Sequence, residues 1–124
     1  MVETKTLLLT VEAVVEPADM RFDSYGPPLD TREIFPVGAP WPSVTKTYKP
    51  GDPVYVHYAV KNVGGGAGAG SIEVKDLDTG AVIATWAVPE LAPNERFKTL
   101  PTGSGAYVGK MPDKDWRLSF KVTP

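Results

Sequence analysis

From Val54 to Val60 every second residue is apolar. Val54, Val56, Tyr58 and Val60 share one side of an extended chain, and Tyr55, His57 and Lys61 take the other. A period of two marks a half-buried β-strand, because successive side chains leave the pleated backbone on opposite faces. Pro50 and Gly51 open the stretch as a turn, and residues 64–70, GGGAGAG, close it. The same alternation recurs along the chain. In residues 6–15, Leu7, Leu9, Val11, Ala13 and Val15 share a face, which predicts a long strand ended by Pro17. Residues 71–77 and 81–88 flank Asp78-Thr79-Gly80 and read as a hairpin, with Ile72 and Val74 inward. In its second arm both faces carry apolar residues, Val82, Ala84, Trp86 and Val88 on one and Ala81, Ile83 and Ala87 on the other. This predicts a central strand, or one whose outer face meets another segment. Short strands are expected at 43–48 and 96–100, a glycine-rich loop carrying Tyr107 and Val108 at 102–110, and a last strand at 115–123 with Trp116, Leu118, Phe120 and Val122 inward.

Residues 18–42 break this rhythm. Pro27, Pro28, Pro36, Pro40 and Pro42 exclude a helix or a central strand, yet Met20, Phe22, Tyr25, Leu29, Ile34, Phe35, Val37 and Trp41 make the segment too apolar for a solvated linker. Two readings stand. The arm straps over its own sheets, covering an open edge or end with Phe22, Phe35 and Trp41, or it reaches a neighbouring subunit with its aromatics as anchors.

Composition narrows the chemistry. With 124 residues the chain has the length of one domain with a single core. It has no cysteine, hence no disulfide, thiolate metal site or cysteine nucleophile, and one histidine, which leaves no multi-histidine metal site. The net charge of −2 and the absence of a basic cluster argue against nucleic acid. No apolar run approaches the ~20 residues that cross a bilayer, so membrane insertion is not expected. The N-terminus has no basic-then-apolar signal pattern, so the chain either stays where it is made or has lost an export signal.

The chemical motifs are weak. The glycine run lacks the Lys-Ser or Lys-Thr of a phosphate loop and the helix that would follow it, and reads as a flexible or close-packed connection. Asp76, Asp78 and Gly80 match a fragment of a calcium loop without its closing Glu, and read as turn residues. Asp113 with Asp115, or Asp76 with Asp78, could supply paired carboxylates, but neighbouring acids are common in turns. His57 is placed in mid-strand as an exposed polar residue, with no nearby Ser or Asp to form a triad. No catalytic residue, metal site or cofactor is assigned.

About seven short strands, no helix and no βαβ rhythm predict an all-β fold, an antiparallel immunoglobulin-like sandwich with a proline-rich N-terminal arm. Residues 1–42 hold the first strand and the arm, and residues 43–124 the sandwich, as one domain overall. Pro50-Gly51-Asp52, Val60-Lys61-Asn62-Val63-Gly64, Asp78-Thr79-Gly80 and Leu91-Ala92-Pro93-Asn94 follow in order, and on these residues 49–122 resemble the CARDB group of immunoglobulin-like domains of bacterial and archaeal surface proteins. Asn94 stands where that group usually has glycine, and asparagine also enters left-handed backbone angles. The resemblance implies a secreted, often modular domain associated with adhesion or surface structures. The chain differs from the group in its arm, its lack of tandem copies and its lack of a signal.

The expected function is a non-catalytic structural module making protein–protein contacts with itself or with other structural proteins, in a virion, appendage or cell-surface structure. Phe22, Tyr25, Ile34, Phe35 and Trp41 of the arm, with Tyr107, are the expected partner-binding residues. The alternative is a carbohydrate-binding or adhesion module in which Trp41, Tyr55, Trp86 or Tyr107 form a stacking platform for a glycan. Coplanar exposed aromatics would favour sugar; an arm reaching away from the sandwich would favour assembly.

Overall fold

The turn at Pro50-Gly51 forms as its residues dictate. Asp52 donates its amide to the Lys49 carbonyl at 3.1 Å, Gly51 takes φ +85°, and the Asp52 carboxylate accepts the Lys49 amide at 2.9 Å. This is a type II turn with proline and glycine in their favoured places. It launches the central strand of the fold. The computed structural model describes residues 2–9, 16–101, 103 and 105–124, which form eight antiparallel strands and no helix, arranged in two sheets as a β-sandwich.

The strands are β1 (Met20–Phe22), β2 (Ile34–Pro36), β3 (Pro53–Asn62), β4 (Gly68–Asp76), β5 (Val82–Leu91), β6 (Arg96–Lys98), β7 (Ala106–Lys110) and β8 (Leu118–Thr123). Everything in the first sheet pairs with β3. One edge of β3 takes β1 beside residues 60–62 and β2 beside 56–58; the other takes β6 beside 59–61 and β7 beside 53–56. Each edge therefore carries one interrupted strand. The chain leaves the first edge between β1 and β2, where Ala59 bonds to Asp23 and Glu33, and leaves the second between β6 and β7, where Tyr58 accepts from the Thr99 amide at 3.2 Å. The Tyr58 amide, which would otherwise face that gap, donates to the Thr99 hydroxyl at 3.3 Å. A side-chain oxygen thus replaces the missing strand carbonyl.

The second sheet has the order β5-β4-β8. Between the sheets, Val54, Val56, Tyr58 and Val60 of β3 meet Ile72 and Val74 of β4, Val88 and Leu91 of β5, and Phe120 and Val122 of β8. The inward faces of β3 and β8 are those read from the alternation. Trp86 lies flat on Tyr58 between the layers and donates its indole N–H to the Tyr107 carbonyl at 3.0 Å.

Asn62 ties the top of the sandwich together. Its side chain is fully buried and uses all its hydrogen-bonding capacity: Oδ1 accepts from the amides of Asp19 and Gly64, and Nδ2 donates to the carbonyls of Gly66 and Leu91. The glycine run is here a close-packed connection. A Cβ on Gly64 would collide with the backbone of Pro17 and Asp19, and one on Gly65 with the Glu16 side chain. Asn94 does enter the left-handed region, at φ +67°, and donates its amide to the Asn62 carbonyl at 2.7 Å.

Several expectations need correction. Residues 6–9 of the expected first strand form no strand and are exposed, and residues 10–15 lie outside the described residues. Residues 43–48 also form no strand: the Ser43 hydroxyl bonds to the Thr45 backbone, a local alternative to ladder pairing. Residues 106–110 of the expected glycine loop form β7, because the edge of β3 at residues 53–56 offers a ladder and Val108 can be buried there. β5 lies at an edge rather than centrally. A register shift between Val74 and Lys75 of β4, opposite Ile83, turns both Ile83 and Ala84 toward the core, while Ala81 and Ala87 of the second face stay exposed.

Candidate functional site

The outer face of β3 also carries a small core. Tyr25, Phe35 and Ala59 are buried against one another there, with His57 beside them. Phe35 meets the Tyr25 ring edge-on, centroids 5.1 Å apart. The cover comes from the excursion between β1 and β2, which closes as a hairpin: Tyr25 donates to the Arg32 carbonyl, and Gly26 and Asp30 exchange both backbone bonds. Across β3, Arg96 of β6 pairs with Asp23 and donates to the Ser24 carbonyl, while Lys98 lies over the Tyr25 ring and donates to the Tyr25 carbonyl. The proline-rich arm is thus clasped from the opposite edge of the strand it covers.

His57 belongs to this layer. It is 5% exposed, not the exposed strand residue expected, and its Nδ1 lies 2.8 Å from the Thr99 hydroxyl. The Tyr25 hydroxyl donates to the Thr99 carbonyl at 2.5 Å. Burial, and then the charge of Arg32, push the imidazole below its ordinary pKa. β3 alternates as its sequence predicts, but the face opposite the main core is buried as well at His57 and Ala59, because the arm lies on it.

Arg32 fixes the arm. Its guanidinium makes two bonds to the Asp30 carboxylate at 3.0 and 2.9 Å, donates to the carbonyls of Ala39 and Ser43, and sits 3.7 Å over the Phe35 ring. The planar fork matches the carboxylate, and the hydrogen bonds from Arg32 hold Asp30 below the usual carboxylate range. Sequence reasoning passed over this residue; an arginine two positions after an aspartate inside an apolar, proline-rich stretch is the signal that could have found it.

The six expected contact residues therefore separate. Tyr25 and Phe35 are buried on the arm's own side of the molecule, and Phe22 and Ile34 are half-buried against the main core. Trp41, 60% exposed, and Tyr107, 46% exposed, face outward. Trp41 lines a shallow depression with Asp30 and Leu29, and Leu29 is 83% exposed at the hairpin tip. Of the four aromatics expected as a sugar platform, Tyr55 and Tyr107 have rings tilted by 53° to each other, Trp86 is turned inward on Tyr58, and Trp41 is exposed on the arm.

A second concavity opens between the sheets. About 440 Å³ in volume, it is lined by Ile34, Val54, Trp116, Leu118 and Phe120, with Val44 and Lys46 on its rim. Its walls are apolar interior faces of both sheets. Among the described residues no group of three or more His, Cys, Asp or Glu comes together as a metal site requires. The turn acids are engaged locally: Asp76 accepts from the Asp78 amide and the Trp116 indole, and Asp78 pairs with Arg117.

No family model, no curated protein and no solved structure matches this chain.

Proposed function

We propose that this chain is a non-catalytic assembly module that contacts other proteins, copies of itself included, through apolar surface held on a rigid arm. The observation that carries the reading is the pair Leu29 and Trp41: two large apolar side chains, mostly exposed, on a hairpin and loop that Arg32 braces with four hydrogen bonds. Rigid, exposed aromatic and aliphatic anchors are what interfaces use at their centres. His57, the one histidine, is engaged in packing the arm.

In this reading the sandwich is immunoglobulin-like and of the CARDB-like kind, with Asn62 and the left-handed Asn94 as its support, and it serves a virion or extracellular surface structure. Light scattering behind size exclusion over a concentration range tests it. Association that weakens in Leu29→Ser/Trp41→Ser supports the reading. A strict monomer that instead binds glycans through Trp41 overturns it in favour of the carbohydrate-binding alternative.

A further inference from the structure

In the second sheet β4 is paired on both sides, whereas among the described residues β8, like β5, pairs only with β4. Because the Arg117 carbonyl accepts from Leu77 on the β4 side, the antiparallel alternation turns the amides and carbonyls of Leu118, Phe120 and Val122 to the free edge. The side chains of the same three residues point inward but stay half-buried, while Ile72 and Val74 of neighbouring β4 are fully buried. Leu118 and Phe120 line the 440 Å³ cleft, where residues 44–48 run along the rim without forming a strand, 44–47 exposed and Tyr48 half-buried. Among the described residues no strand pairs with this edge or fills the cleft beside it.

The same chain holds an unused strand sequence. In residues 2–9, VETKTLLL, three consecutive leucines are exposed, Leu7 by 84%, Leu8 by 86% and Leu9 by 81%, and no backbone hydrogen bond joins the segment to the rest of the described residues. As a strand it would present Leu7 and Leu9 to one side and Leu8 to the other. An apolar strand laid on an open edge gains ladder bonds from the backbone and specificity from alternate side chains entering a groove.

We infer that the free edge of β8 receives residues 2–9 of a second copy of this chain, with Leu7 and Leu9 entering the cleft over Leu118 and Phe120. This deepens the assembly reading and rests on it. Each copy has one donor segment and one acceptor edge, so association closes as a reciprocal dimer or grows head to tail.

The test compares the full chain with Leu7→Asp/Leu9→Asp by sedimentation over a concentration range, and adds a synthetic peptide of residues 2–9 to the double variant. Association itself stabilises the folded chain, so folds are compared at concentrations where the parent is monomeric; there the variant, which changes only exposed residues, should equal the parent in circular dichroism and urea midpoint. The expected result is association of the parent, a dissociation constant raised on the order of 30-fold or more in the variant, as for loss of a buried anchor, and peptide binding that changes Trp116 fluorescence. Equal association of parent and variant overturns this inference and leaves the assembly reading standing, with Leu29 and Trp41 as its surface. A monomeric parent whose variant takes up no peptide overturns it as well. Whether the assembly reading then falls is decided separately, by the glycan outcome at Trp41.

Discussion

The Trp86 indole lies parallel to the Tyr58 ring, planes 1° apart and centroids 5.5 Å apart, and so joins the outer strand of one sheet to the central strand of the other. Phe120 packs near the indole at 6.2 Å, and the Tyr107 carbonyl takes its N–H. Trp86→Ala should lose about 3–5 kcal/mol. Trp86→Phe, which keeps a ring on Tyr58 but gives up the indole hydrogen bond, should lose about 1–2 kcal/mol. Urea unfolding followed by circular dichroism distinguishes the two.

Asn62 should be the most sensitive polar residue in the chain. Asn62→Ala leaves two amides and two carbonyls without their partner in a buried place. With about 1–3 kcal/mol for each group that water cannot reach, the loss should exceed about 3 kcal/mol. Asn62→Asp restores the acceptor but sets an oxygen against the carbonyls of Gly66 and Leu91, so it should not rescue. Urea midpoints of the two variants against the parent measure this.

Acid should weaken the arm through His57. Its folded pKa lies below the ordinary 6.5, so between that value and its lower folded one the unfolded chain binds a proton that the folded chain refuses. Stability is complete above pH 6.5 and declines as pH falls through this window. Asp30 and Asp78, also depressed, contribute only at more acid pH, near and below the ordinary carboxylate value. The urea midpoint of the parent should drop between pH 7.5 and pH 5.5 (about one unit either side of the ordinary histidine pKa) while that of His57→Gln stays nearly flat; parallel curves would show that His57 is not the cause.

Two glycines with different reasons should respond differently to alanine. Gly80 has φ +72° and open space around its missing Cβ, so Gly80→Ala should cost only the left-handed penalty of about 1–2 kcal/mol. At Gly64 the new methyl would strike the backbone of Pro17 and Asp19. Gly64→Ala should therefore cost more, and should speed hydrogen exchange at the Val63 amide, which donates to the Asp19 carbonyl.

The alternation in β3 and β8, the Asp78-Thr79-Gly80 hairpin and the left-handed place of Asn94 were all legible in the sequence, because each depends on neighbours a few residues away. What was not legible depended on long-range cover. Nothing near His57 shows that Tyr25 and Thr99 will close over it, and only the assembled sheet shows that residues 106–110 have an edge to join. The bulge that turns Ile83 inward beside Ala84 shows only once the partner strand is known. In the arm, Phe35 and Trp41 look alike by composition; the Arg32–Asp30 brace buries one and leaves the other outside.

The two interrupted strands flanking β3 also set the order in which this chain can mature. Segments bordering one side precede β3, whereas those bordering the other follow it, and the last of them is complete only when residue 110 has been made. A growing chain can therefore finish half of the first sheet and must then hold β3 with a bare margin until the remainder emerges. Pairings this distant in sequence fold slowly, on the order of milliseconds to seconds, and an uncovered apolar strand is then open to wrong partners. The Thr99 hydroxyl, which accepts the Tyr58 amide, fills the gap that this margin leaves between its two segments.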